Sequence, residues 1–95
     1  MLWVMLDVYV QDVENNFNSL ETAFASGDAE ALLREAHTVK GLLATFSDDF
    51  GANEAFAIEQ QAKGGHVADQ AGAVRALQAR MRMVSQVLRG ELDRR

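Results

Sequence analysis

Of the two histidines in the sequence, His37 has the neighbours that could give it chemistry. It lies in Ala36-His37-Thr38-Val39-Lys40-Gly41, inside a run whose apolar residues recur at helical steps. Wound at about 100° per residue, Leu32, Ala36, Val39, Leu43 and Phe46 gather on one side and read as a core face. His37 falls nearly opposite, towards solvent, flanked by Lys40, Gly41 and Ala44. An imidazole near neutral pH is largely uncharged and nucleophilic. Lys40 lies one helical turn on, and its ammonium can offset negative charge developing on a group joined to the ring. Glycine is unfavourable inside a helix, so Gly41 suggests a packing or access reason. With Ala44 it leaves the surface beside the ring bare, so that a partner's backbone or loop can approach. His66 follows Gly64-Gly65 in a loop and stands apart from this group.

The elements that must hold His37 are all helical by their pattern. Leu2, Leu6, Tyr9, Val13, Phe17, Leu20 and Phe24 form one stripe at steps of three and four, and Val74, Leu77, Met81, Val84 and Leu88 form another. No stretch alternates with a period of two for long enough to suggest a strand. The sequence has no proline, so glycine supplies the breaks. Ser26-Gly27-Asp28 reads as a helix end with Asp28 capping the next helix. Ser47-Asp48-Asp49 reads as a second start, with acids at the positive end of a helix. Gly64-Gly65 closes the third helix, and a fourth begins near Asp69. The spacing predicts helices over 2–25, 29–46, 49–63 and 68–91. Short connections make this an all-α, antiparallel, up-down four-helix bundle, with residues 1–95 as a single domain. Asn15-Asn16-Phe17-Asn18-Ser19 is weak in helix propensity and could break the first helix, and Gly72 falls inside the last.

The segment around His37 resembles the signature of histidine-containing phosphotransfer (HPt) domains, in which a helical His-x-x-Lys-Gly marks the phosphorylated histidine. The resemblance runs through most of the chain without a gap. A Gly-Asp turn precedes the histidine as Gly27-Asp28, followed by Leu32 and Arg34-Glu35-Ala36. Ile58-Glu59 stands where the family commonly has Leu-Glu, with Glu59 twenty-two residues after His37, and Ala62-Lys63-Gly64-Gly65 follows. The resemblance implies that His37 accepts a phosphoryl group through Nε2 and exchanges it with an aspartate of a response-regulator receiver domain, within a two-component phosphorelay that includes a sensor histidine kinase. It implies that Lys40 stabilises the phosphoryl charge. It offers Glu59, on the adjacent helix, as the carboxylate that holds the ring's tautomer and direction, with Gly41 and Ala44 on the surface where a partner gains access. Gln60 and Gln61 could add hydrogen bonds at the rim. The sequence departs from the family in its Leu42-Leu43 pair, in the turn Thr45-Phe46-Ser47-Asp48, and in Gly51 where a core leucine is usual. Volume exchange, with Leu42, Leu43 and Phe50 filling the space at Gly51, would reconcile the last.

Composition bounds the rest. Ninety-five residues allow one core and leave no room for a separate nucleotide-binding domain, and no glycine-rich ATP loop is present. The family resemblance adds the expectation of a phosphocarrier with no cofactor or metal of its own, the magnesium belonging to the receiver. The absence of cysteine excludes disulfide scaffolds and thiolate zinc sites. A net charge of −5 argues against nucleic acid as a partner. Met1–Leu6 is apolar but too short for a membrane span or signal peptide, so a monomeric cytoplasmic protein, or a piece of a longer cytoplasmic one, is expected. Charge is uneven: residues 1–62 carry eleven acids and two bases, and residues 63–95 three acids and seven bases. The basic segment, with Arg75, Arg80, Arg82, Arg89, Arg94 and Arg95, reads as a face balancing the acidic helices or as a docking edge for an acidic partner. A different class of function remains open to the same residues: a helical adaptor, docking through Met1–Leu6, that carries no phosphate.

Overall fold

The structure, a computed structural model, describes residues 2–45 and 48–93, with side chains over 7–45 and 48–91. Four long helices succeed one another: α1 (Leu2–Ala25), α2 (Ala29–Thr45), α3 (Asp49–Lys63) and α4 (Ala71–Asp93). Each packs on its neighbours in sequence, and α4 closes on α1. Cross-helix pairs fix the directions. Glu14 meets Arg89 and Glu21 meets Gln78, so α1 and α4 run antiparallel. The result is an all-α, up-down four-helix bundle, and no strand occurs among the described residues.

The helix ends obey their local chemistry. Gly27 has φ of +70° and Gly65 of +87°, a region open to glycine at little cost. Each closes its helix by the same pair of bonds. Asp28 N–H donates to Ala23 and Gly27 N–H to Phe24; His66 N–H donates to Gln61 and Gly65 N–H to Ala62. Asp28 then caps α2, accepting from Ala31 N–H at 3.1 Å. Asp48 caps α3, accepting from Gly51 N–H at 3.2 Å. Phe46 and Ser47, part of the expected core stripe and turn, lie outside the described residues, as do Arg94 and Arg95 and the side chains of Met1–Leu6.

The core is built from the expected stripes with a small rotation in α1. Val10, Val13, Leu20 and Ala23 are buried there, while Tyr9, Phe17 and Phe24 are half-buried. Leu32, Ala36, Val39 and Leu43 of α2 meet Ala55, Ile58 and Ala62 of α3, and Val74, Leu77 and Met81 of α4. The asparagine-rich stretch does not interrupt α1: Val13 and Leu20 anchor it on both sides, and packing overrides propensity. The fourth helix is corrected at its start. Ala68–Gln70 form a 3₁₀ turn and α4 begins at Ala71, so Gly72 lies in its first turn rather than its interior. The volume exchange at Gly51 is also corrected. Gly51 is buried, but its space is taken by Leu43 and by the side chains of Asp48 and Arg80. Phe50 is 64% exposed, with its ring 5.2 Å from the Arg80 guanidinium.

Candidate functional site

The α2–α3 pair places the candidate residues. Val39 and Leu43 are fully buried on α2, as are Ala55 and Ile58 on α3. With those stripes turned inward, His37 and Lys40 stand on one rim of the seam, and Phe56 and Glu59 on the other. Moving three residues forward on α2 corresponds to moving three back on α3, as antiparallel helices require.

His37 is exposed, with 64% of its side chain accessible. Its Nδ1 lies 3.1 Å from Glu59 Oε2. A carboxylate can only accept, so the bond assigns a proton to Nδ1 and, in the neutral ring, leaves Nε2 as the unprotonated nitrogen. Glu59 has only 15% of its side chain accessible, and its other oxygen, Oε1, accepts from Lys40 Nζ at 2.9 Å. One carboxylate thus bridges the imidazole and the ammonium. The Lys40 hydrogen bond is the largest influence holding the Glu59 carboxyl below its usual acidity range; burial opposes it, and the His37 bond and the Lys40 charge assist. Lys40 does not extend freely into solvent as a lone surface lysine would. Its Nζ also lies 5.0 Å from the centre of the Phe56 ring.

The surface beside the ring is open. Gly41 and Ala44 are both exposed, and beyond its chain neighbours and the helix's own backbone no atom lies within 4 Å of where a Gly41 Cβ would stand. Gln60 and Gln61 are exposed, and the hydrogen-bond partner of His37 is Glu59 rather than either of them. His66 sits beyond the end of α3, 3.8 Å from Asp69, and belongs to a different part of the surface. No group of three or more residues able to hold a metal occurs among the described residues. A groove of about 550 Å³ between α1 and α4, walled by Val13, Phe17, Met81 and Arg82 among others, does not include His37. The imidazole stands on an open face, suited to a macromolecular partner rather than an enclosed small molecule.

Two features escaped the sequence. Phe56 gave a usable signal, since it lies off the core stripe of α3 and one turn before Glu59. The Asp48–Arg80 pair gave none, because the two residues are thirty-two positions apart and belong to helices with no shared motif. Arg80 Nε donates to both Asp48 oxygens, at 3.0 and 2.8 Å, and its terminal nitrogen to Oδ1 at 2.6 Å. The Arg80 hydrogen bond holds the Asp48 carboxyl below its usual range against the opposing effect of burial. The uneven charge is resolved in part as well: Arg80 binds Asp48, Arg89 binds Glu14, and Arg82 lies 4.9 Å over the Phe17 ring. The basic helix is tied to the acidic ones.

The family model of the Hpt domain matches residues 4–90. Among solved structures the chain is similar to the crystal structure of histidine-containing phosphotransfer protein B (HptB) from Pseudomonas aeruginosa PAO1. The two share 27% sequence identity, the match covers 98% of this chain and 81% of that one, and the TM-score is 0.88. No curated protein matches the sequence.

Proposed function

The chain belongs to the Hpt domain family, and on that premise we propose that His37 is the residue through which it takes up and passes on a phosphoryl group. The family's role is histidine phosphotransfer in two-component phosphorelays, with receiver domains and kinases as partners, and the similarity to HptB supports that role for this chain. The observation that carries the residue assignment is the 3.1 Å bond from His37 Nδ1 to Glu59 in a ring otherwise exposed to solvent.

The chemistry builds on that geometry. The Nε2 lone pair attacks the phosphorus of a receiver's aspartyl phosphate. An N–P bond forms, the acyl P–O bond breaks, and the aspartate leaves as a carboxylate with the bonding pair. The ring gains positive charge, and the Glu59 carboxylate at Nδ1–H stabilises it while keeping Nε2 aimed outward. Lys40 supplies an ammonium to the transferring oxygens, where positioning and charge do most of the work. Gly41 and Ala44 leave space for the receiver's loops. The reverse reaction uses the same groups. The chain works as a carrier, a single unit over residues 1–95, acting as a monomer in the cytoplasm with no nucleic acid partner. No described helix is long and apolar enough to cross a membrane.

The test is to incubate the purified protein with phosphorylated receiver domains, or with a sensor kinase and ATP, and to look for an acid-labile, alkali-stable adduct. The expected result is one such adduct, absent from His37→Ala. No adduct with several active donors, or an adduct that persists in His37→Ala, overturns the assignment.

A further inference from the structure

Phe56 stands on the outer side of α3. The stripe Gly51, Ala55, Ile58 and Ala62 faces the core, and Phe56 is turned away from it, 47% exposed. Burial in the core does not account for a large ring at such a position. What the ring meets is Lys40, whose Nζ lies 5.0 Å from its centre, inside the roughly 6 Å reach of a cation–π contact. The same ammonium donates to Glu59 at 2.9 Å. Lys40 is therefore held between two residues one turn apart on α3, and only 29% of its side chain is accessible. A lysine without such contacts keeps much of the rotational freedom of its four-carbon stem.

We propose that Phe56 is a positioning residue for phosphotransfer, its ring face holding the Lys40 ammonium beside Glu59 and His37. The proposal rests on the reading of His37 as phosphoryl acceptor. The two anchors differ in kind, and that difference matters. An ion pair with Glu59 alone would set the carboxylate in direct competition with incoming phosphoryl oxygens for the same N–H donors. A ring face attracts the charge without occupying a donor. The ammonium can turn a donor from Glu59 Oε1 towards a phosphoryl oxygen and remain over the ring. The ordering of the lysine stem is then largely complete before the phosphoryl group arrives.

The test compares Phe56→Leu, Phe56→Trp, Lys40→Gln and the Phe56→Leu/Lys40→Gln double variant in the full chain. Leucine keeps an apolar side chain but has no π face. The first readout is the rate of transfer to His37 from a phosphorylated receiver domain. Phe56→Leu should slow transfer about two- to fivefold, the scale of an exposed cation–π contact. Phe56→Trp should retain the wild-type rate, and Phe56→Leu should slow nothing further once Lys40 is Gln. The second readout is the proton NMR shift of the Lys40 ε-methylene in the unphosphorylated protein. An upfield ring-current shift should be present in wild type and Phe56→Trp and lost in Phe56→Leu. A wild-type rate in Phe56→Leu overturns the proposal. So does an equal slowing in the Lys40→Gln background, which would assign Phe56 to partner contact, and so does a wild-type ε-methylene without the upfield shift. Failure of the wild-type protein to take up phosphate would count against His37 instead, and the NMR readout would still decide whether the ring holds the lysine.

Discussion

Asp48→Asn separates two roles that one carboxylate plays. The native side chain is 8% accessible. It caps α3 through Gly51 N–H and receives the Arg80 guanidinium on both oxygens. Asparagine caps a helix about as well as aspartate, so the substitution keeps the cap while removing the carboxylate charge and one of the two oxygens that accept from Arg80. Hydrogen bonds to charged groups contribute about 1.5–3 kcal/mol. Arg80 is 31% accessible and regains water when released, which places the net loss near the lower end, at about 1–2 kcal/mol. For a domain of this size each kcal/mol moves Tm by roughly 4–8 °C. Asp48→Ala also removes the cap and should cost about 1 kcal/mol more. Urea melts of the three proteins should give this order with unchanged slopes. The pH dependence has a definite sign. Arg80 lowers the folded-state pKa of Asp48 below its ordinary value of 3.8, so the unfolded state binds the proton first as pH falls. The pair's contribution is complete above about pH 4 and is lost as pH drops through the folded-state value. The gap between wild type and Asp48→Asn should therefore be full at neutral pH and close in acid. Equal stability at pH 7 would mean that desolvation cancels the pair, and a gap unchanged down to pH 2 would mean that the charge is not its source; either result refutes the reasoning.

Three further outcomes are expected. A Cβ at Gly51 would stand 2.5 Å from Asp48 Oδ2 and 2.7 Å from Leu43 Cδ1, so Gly51→Ala should destabilise by about 1–3 kcal/mol in the same melts, and a neutral result would show that the α3 start yields easily. Beyond its chain neighbours and the helix's own backbone, Gly41 has nothing within 4 Å of an added Cβ, so Gly41→Ala should stabilise by about 0.5–1 kcal/mol, whereas Gly41→Tyr should fold normally and slow transfer with a receiver; a wild-type rate would remove Gly41 from the docking surface. Glu59→Gln can still accept from Nδ1–H but brings no charge to the ring, so phosphorylation of His37 should slow about tenfold or more and by more still in Glu59→Ala, with a wild-type rate in the latter excluding the carboxylate from the mechanism.

The bundle was legible because its signals are local. Apolar steps of three and four define stripes, Gly27 and Gly65 adopt the left-handed turns that end helices, and Asp28 and Asp48 cap α2 and α3. The exposed direction of His37 came from the same periodicity. What could not be read was lateral. Periodicity along one helix says which face is buried but not which residue of the next helix lies across the seam. Glu59 was reached through the family resemblance, and the structure brings it to 3.1 Å from His37. Phe56 has no motif, and its contact with Lys40 depends on the α2–α3 register. At Gly51 the expectation of apolar filling missed an ion pair, because Asp48 read as one of the acids at a helix start and Arg80 as one member of a basic face.

That register connects the core to the chemistry. Glu59 and Phe56 reach His37 and Lys40 only if α3 lies at the right height against α2. The polar contacts at the seam add to that height but do not set it alone: the Lys40–Glu59 pair is largely covered, whereas the His37 side chain is mostly exposed and exposed charge contacts contribute little. The buried stripes fix it, with Val39 and Leu43 on α2 and Ala55 and Ile58 on α3, all fully excluded from water. A slip of one helical turn would move Glu59 by about 5.4 Å, well beyond hydrogen-bond reach of Nδ1. Close packing makes such a slip costly, because each side chain would leave the space shaped for it. The Asp48 cap and its bonds to Arg80 add a second constraint, holding the start of α3 against α4. The site can therefore leave its imidazole open to a partner and still keep that imidazole oriented.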